Sequence, residues 1–379
     1  MSQTVIQINL QRHFGGGEVY TRFLTSALAH HGCRTLLVVA DDAPFWRQLD
    51  LPNTTLLPVA SLREVAAQLP GVATPIITHG PVDGESLAAW RRVHPVFGIA
   101  HMPLFGRNPR VFDGYSGVFA VSAYVLASLR DAGVPNPCPE PLYGVADLAR
   151  FASADIGRIV QTSEYEWDMR KGRDRLLSWL EPLVEPLRRR PVFERRPGLA
   201  LGIVSRITPI KQFPLLFKHI APLLAEFPAI TLDIFGAGGY ASVRDLRAAL
   251  PPIKSQTRFW GHQHDVGSIY RQLDFVLSGL PEKEALGLNI IEAQACNTPV
   301  LAVNAPPFTE TVAHGQTGLL YRDPREDQGQ ELRQLLAALT AGDARPKPLN
   351  HPERLARFSF EAFVQRTGHV LDFIRQSAA

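Results

Sequence analysis
Apolar and polar positions alternate along this chain between short, nearly continuous apolar runs and longer amphipathic ones. Residues 4–10 alternate around Val5, Ile6 and Ile8 and predict a first strand. The strand runs into a glycine turn, Gly15-Gly16-Gly17-Glu18, and then an amphipathic helix over 19–31. Further strands are predicted at 35–40, 75–78, 96–100 and 117–121, with a helix over 123–132. The pattern degrades after residue 151 and restarts at 199–204, followed by a helix over 214–226 and strands at 230–235, 257–260 and 275–278. Helices are expected at 269–273, 288–296, 330–341 and 360–376, and strands at 300–303 and 319–321. Strands and helices alternating in this way build parallel α/β sheets, and the restart implies two of them. Expected domains are 1–190, including a helical interdomain segment 155–197, then 191–355, then a C-terminal helix over 356–379.

A chain of 379 residues is long enough for two domains, and 45% hydrophobic with 20% charged residues describes a soluble protein with a full core. A net charge of +3 gives no footprint for nucleic acid. Cys33, Cys138 and Cys296 are far apart with no metal-ligand spacing, so reduced thiols in the cytoplasm are expected. The N-terminus lacks the pattern of a signal peptide, and no run of about 20 apolar residues exists to span a membrane. Residues 170–196 hold nine Lys or Arg against four Asp or Glu, with Trp167, Trp179 and several leucines interleaved or adjacent. Such a segment suits an anionic membrane surface or a solvated linker helix.

The chemistry concentrates in residues 279–302. A loop with Glu282, Lys283 and Glu284 leads through Gly287 into the helix that begins at Leu288. Glu284 and Glu292 are eight apart and would diverge on one straight helix at roughly 100° per residue. They converge only if Glu284 lies in the loop and Glu292 one turn into the helix. Free N–H groups at Leu288, Asn289 and Ile290 would lie between them, a cradle for phosphate. This is a mould for a nucleotide sugar: sugar at Glu284, diphosphate at the helix start, ribose at Glu292. The same residues also suit a surface loop followed by a helix with a solvated Glu. Arg206 and Lys211 fall in a strand-to-helix loop, where two cations can neutralise a diphosphate or remain exposed charges. Gly16 and Gly17 permit close backbone approach at a helix start, and the loop with Gly236 and Gly238 is similar. His79 and His101 directly follow strands, at the sheet edge where such folds bind ligands, or serve as structural hydrogen-bonders. The glycines are not GxGxxG, so a nicotinamide cofactor is not indicated.

Eight motifs in order carry a resemblance: GGGE at Gly15, GVADLARF at Gly144, SRITPIK at Ser205, DIFGAGG at Asp233, WGH at Trp260, EALGLNIIE at Glu284, NTPV at Asn297 and HGQTGLLY at His314. With these the chain resembles the retaining glycosyltransferases of the GT-B type, family 4. The resemblance implies two Rossmann-like doubly wound domains facing across a cleft, with the C-terminal helix crossing back to the N-domain. It implies Arg206 and Lys211 on the donor diphosphate, Glu284 on donor sugar hydroxyls and Glu292 on the ribose. It implies backbone support from Gly287, Leu288 and Asn289, approach to the phosphates from Gly16 and Gly17, and contact between His101 and the transferred sugar. The usual glycine pair before Glu310 is replaced by Pro306-Pro307 and the segment 155–197 is longer than in the family.

The implied reaction is sugar transfer from a UDP- or GDP-linked donor to an acceptor hydroxyl with retention. The acceptor implied is a lipid-linked saccharide of cell-surface polysaccharide or lipopolysaccharide synthesis, reached from the cytoplasm and the membrane face. No cofactor is expected, and without an Asp-x-Asp motif on a strand end no metal. Two other readings remain: a sugar-nucleotide epimerase on the same double fold, and a non-catalytic nucleotide-sugar-binding subunit.

Overall fold
The computed structural model describes residues 3–12, 15–148, 151, 156–166, 172, 179 and 190–378. The described residues fall into two units, one made of residues 1–146 with 356–379, the other of 147–355.

The first unit holds a six-stranded parallel sheet: β1 (Thr4–Asn9), β2 (Arg34–Ala40), β3 (Thr54–Val59), β4 (Ile76–Thr78), β5 (Val96–Ala100) and β6 (Gly117–Ala120). Its order is β3-β2-β1-β4-β5-β6. The central strands are apolar on both faces because helices cover both, as in doubly wound folds. The helix α1 (Gly16–His30) packs on the C-terminal helix Phe360–Ala378. Tyr20 meets Phe363 edge-on at 5.5 Å, and Phe373 meets Phe97 and Phe119 at 6.2 and 5.8 Å. The last helix is therefore part of this unit.

The second unit repeats the plan with β7 (Leu199–Val204), β8 (Ile230–Phe235), β9 (Thr257–Gly261), β10 (Phe275–Leu277), β11 (Val300–Val303) and β12 (Gly318–Tyr321). Its order, β12-β11-β10-β7-β8-β9, is the first sheet's order renumbered. In each sheet the order reverses between the first and fourth strands, and doubly wound folds bind ligands beside that reversal.

The expected boundary at 190/191 differs from the observed division. Phe151, Ile159 and Phe193 are buried in the second unit's core, so the described residues of 147–190 belong with it. Most of the basic segment 170–196 lies outside the described residues. Its described end is committed to folding: Arg195 donates to Asp274 at 2.7 Å, and Arg196 lies 3.9 Å from Asp233. No helix among the described residues is long and apolar enough to cross a membrane. All three cysteines are buried free thiols.

Candidate functional site
In the second unit, the loops after β7 and β10 leave the sheet side by side where the order reverses. The amide of Leu280 donates to Lys211 O at 3.3 Å, and a Cβ on Gly279 would fall 2.0 Å from that same oxygen. Glycine thus lets the two loops touch. The contact brings Lys211 to the charged loop, where its ammonium pairs with the Glu284 carboxylate; the side chains are 20% and 14% exposed. Lys211 Nζ also lies 3.5 Å from Asn289 Oδ1, and Asn289 Nδ2 donates to Val204 O at 3.2 Å.

Gly287, at φ +81°, caps the helix Leu288–Ala295; the Ile290 amide, expected free, donates to Gly287 O at 2.9 Å, so the helix start offers the amides of Leu288 and Asn289 instead of three. One turn along, Glu292 accepts from the Tyr270 hydroxyl at 3.2 Å. Burial, then the neighbouring Glu292 carboxylate, push the Tyr270 phenol well above its ordinary range, so it remains a donor. The other acid of the loop, Glu282, is tied down by Arg325 and accepts from Gln212 Nε2 at 3.0 Å.

The predicted residues separate into groups. Lys211, Glu284, Asn289 and Gly287 come together, with Glu292 one turn further along the helix. Arg206 shares the β7 loop with Lys211, but its exposed guanidinium pairs with Glu166 at 3.0 Å. Gly236 and Gly238 serve the fold. Gly236 N donates to Gly261 O at 2.8 Å and Gly238 N to Glu164 O at 3.0 Å. Added Cβ atoms would sit 1.9 Å from Ser205 O and 2.1 Å from Ile207 O. Their amides are therefore spent on backbone partners, and their glycine identity answers to close packing.

In the first unit, the reversal between β1 and β4 gathers a buried polar cluster. Asn9 Nδ2 donates to Glu18 Oε1 at 3.3 Å and to Thr21 Oγ1 at 2.9 Å. His79 Nε2 lies 2.9 Å from Gln7 Oε1, and His79 Nδ1 lies 3.3 Å from His101 Nε2. The Tyr20 ring stands edge-on to His101 at 5.0 Å. Burial lowers the His101 pKa to about 4; burial, then His101, hold that of His79 well below its ordinary value, so both rings are neutral near pH 7. Gly16 and Gly17 open α1 with free space where a Cβ would stand.

Residues 189–341 match the family described as Glycosyl transferases group 1. Among curated relatives, a D-inositol 3-phosphate glycosyltransferase of Rhodococcus erythropolis is 26% identical over 85% of this chain and 75% of its own length. That of Stackebrandtia nassauensis is 28% identical over 69% of this chain, the match spanning 59% of the relative. Among solved structures, Anabaena Alr3699/HepE in complex with UDP superposes with a TM-score of 0.70 at 17% identity, covering 98% of this chain and 99% of that one. The lipopolysaccharide outer core galactosyltransferase WaaB gives 0.65 at 13% identity, covering 99% of both chains. The fold is GT-B, as its two like-ordered sheets and these neighbours show.

Several residues at the two sheet reversals were not singled out from sequence. Tyr270, Gln7, Thr21 and Thr25 look like ordinary core or helix positions. The available signals were a polar Gln7 amid the apolar run of β1, and Thr21 and Thr25 four apart on one helix face.

Proposed function
We propose that this protein is a glycosyltransferase that moves a hexose from a UDP- or GDP-linked donor to an acceptor hydroxyl, keeping the anomeric configuration and using no metal ion. The observation carrying this reading is the convergence of Lys211, Glu284 and the helix start at Gly287 beside the reversal of the second sheet. Lys211 and the first helix amides neutralise the diphosphate as the glycosidic bond breaks, an electrostatic task suited to a half-buried site. Arg206 adds a second charge on exchanging Glu166 for phosphate. Glu284 accepts from donor sugar hydroxyls, Glu292 from the ribose, and His101 contacts the transferred sugar. Gly16 and Gly17 allow the phosphates to approach α1. With both glutamates engaged on hydroxyls, the departing phosphate oxygen takes the acceptor proton on the face it leaves.

For the acceptor, the sequence resemblance favours a lipid-linked saccharide, met by a protein in the cytoplasm at the inner membrane face. The relatives' names favour D-inositol 3-phosphate. A thermal-shift panel of UDP, GDP, ADP and their sugars tests the donor. Incubating the responding donor sugar with each acceptor class, with and without EDTA, tests acceptor and metal; product NMR reads the anomer. No shift with any nucleotide overturns the reading, and free sugar without a glycosylated product favours an epimerase.

A further inference from the structure
The polar cluster of the first unit has a direction, because each hydrogen bond in it fixes the next. The Thr25 hydroxyl donates to Thr21 O, one turn back on α1, at 2.8 Å. Its only proton is then used, so Thr25 Oγ1 can accept but not donate. Gln7 therefore turns its amide nitrogen to Thr25 Oγ1, at 2.8 Å, and its carbonyl oxygen to His79. That oxygen can only accept, so His79 carries its proton on Nε2, 2.9 Å away, and leaves Nδ1 bare. Thr21 Oγ1 stands nearer to that nitrogen, at 3.1 Å, and its one hydrogen goes to Nδ1 or to Gly17 O, 2.9 Å away, so Nδ1 is an acceptor in either case. Facing the bare Nδ1 at 3.3 Å is His101 Nε2. Two lone pairs at that separation repel, so Nε2 of His101 bears the hydrogen.

We propose that Gln7 and His79 are positioning residues: they hold His101 as its Nε2–H tautomer and leave its Nδ1 lone pair to accept from a hydroxyl of the transferred sugar. The sugar half of this statement rests on the function proposed above; the tautomer half does not. Fixing a ring nitrogen through the hydrogen bond made by the other is how proteins choose a histidine's role. Here the choice originates at a helix carbonyl, Thr21 O, and passes through Thr25, Gln7 and His79. Gln7, Thr21 and Thr25 are fully buried, so no water competes for these bonds.

The test is a long-range proton–nitrogen spectrum of the histidine rings in the 15N-labelled full chain, with His101 assigned from the His101→Gln variant. The expected wild-type spectrum has a protonated Nε2 and a bare Nδ1 on His101. In His79→Phe, His101 should become a mixture of tautomers, and sugar transfer should fall about tenfold, the kinetic counterpart of one neutral hydrogen bond. UDP affinity should stay unchanged. Should His79→Phe fail to fold, Gln7→Met removes the same direction one step earlier. A wild-type His101 protonated on Nδ1, or a single tautomer persisting in either variant, overturns the proposal. The expected spectrum with no transfer from any nucleotide sugar would sustain the relay and reject the function.

Discussion
The Lys211 ammonium rests on the Glu284 carboxylate, which lies 73 residues further along the chain. The two are therefore coupled, and changing either alters the other's charge environment. Lys211→Ala is expected to lower turnover by about two to three decades, the scale of losing one charge-stabilising contact in a preorganised site. Steady-state kinetics with the donor found in the thermal-shift panel checks this.

Glu284→Gln should act in opposite directions on binding and on turnover. Removing the carboxylate frees Lys211 and takes away a negative charge from the place assigned to diphosphate. UDP is then expected to bind several-fold more tightly while sugar transfer slows. Titration calorimetry with UDP alone, set beside turnover, separates the two effects.

Tyr270 and Glu292 should behave as one unit for the nucleoside. Glu292→Gln is expected to weaken UDP binding about tenfold, in line with one hydrogen bond to a charged acceptor. Tyr270→Phe should cost less in the Glu292→Gln background than alone, since its hydroxyl acts through that carboxylate. A double-mutant cycle by calorimetry gives the comparison.

Glycines of similar sequence context should have different consequences. Gly236→Ala places a methyl against Ser205 O at a φ of +150°, and a loss of about 2 kcal/mol or more is expected in urea unfolding. Gly16→Ala meets open space and should leave stability unchanged.

The buried histidines set a pH dependence. His101 titrates near 4 in the fold against 6.5 when unfolded, and His79 shifts in the same direction. Between those pH values the unfolded chain holds more protons, so stability rises with pH there. The contribution is complete above about pH 6.5 and is lost as pH falls toward 4. Urea midpoints at pH 7, 5.5 and 4.5 should fall less steeply in His101→Asn than in the wild type.

The apolar rhythm made most of the fold legible. β5, β7, β8 and β11 stand where the rhythm places them, residue for residue. β3 was missed because its burial is uneven and Pro58 breaks the apolar run, as on an edge strand. The helix Gly84–Trp90 is short, and it is announced chiefly by Asp83, whose carboxylate accepts from Ser86 N. The helix expected at 269–273 stands at Val266–Tyr270, started by Asp265. At the site, loop-to-loop contacts such as Gly279 against Lys211 bring Glu284 to its partner, and those follow from sheet order rather than from local pattern. The direction of the Gln7–His79 chain was unreadable for the same reason, since its members come from three separate elements.

The first unit is assembled from both ends of the chain, and residues 147–355 are spelled out between them. During synthesis the amino-terminal sheet emerges long before its closing helix. Phe97, Phe119 and Tyr20 must wait for Phe363 and Phe373 until residues 147–355 have been made. Shortening the polypeptide by its final twenty residues would thus uncover an aromatic face in the half of the molecule furthest away along the chain.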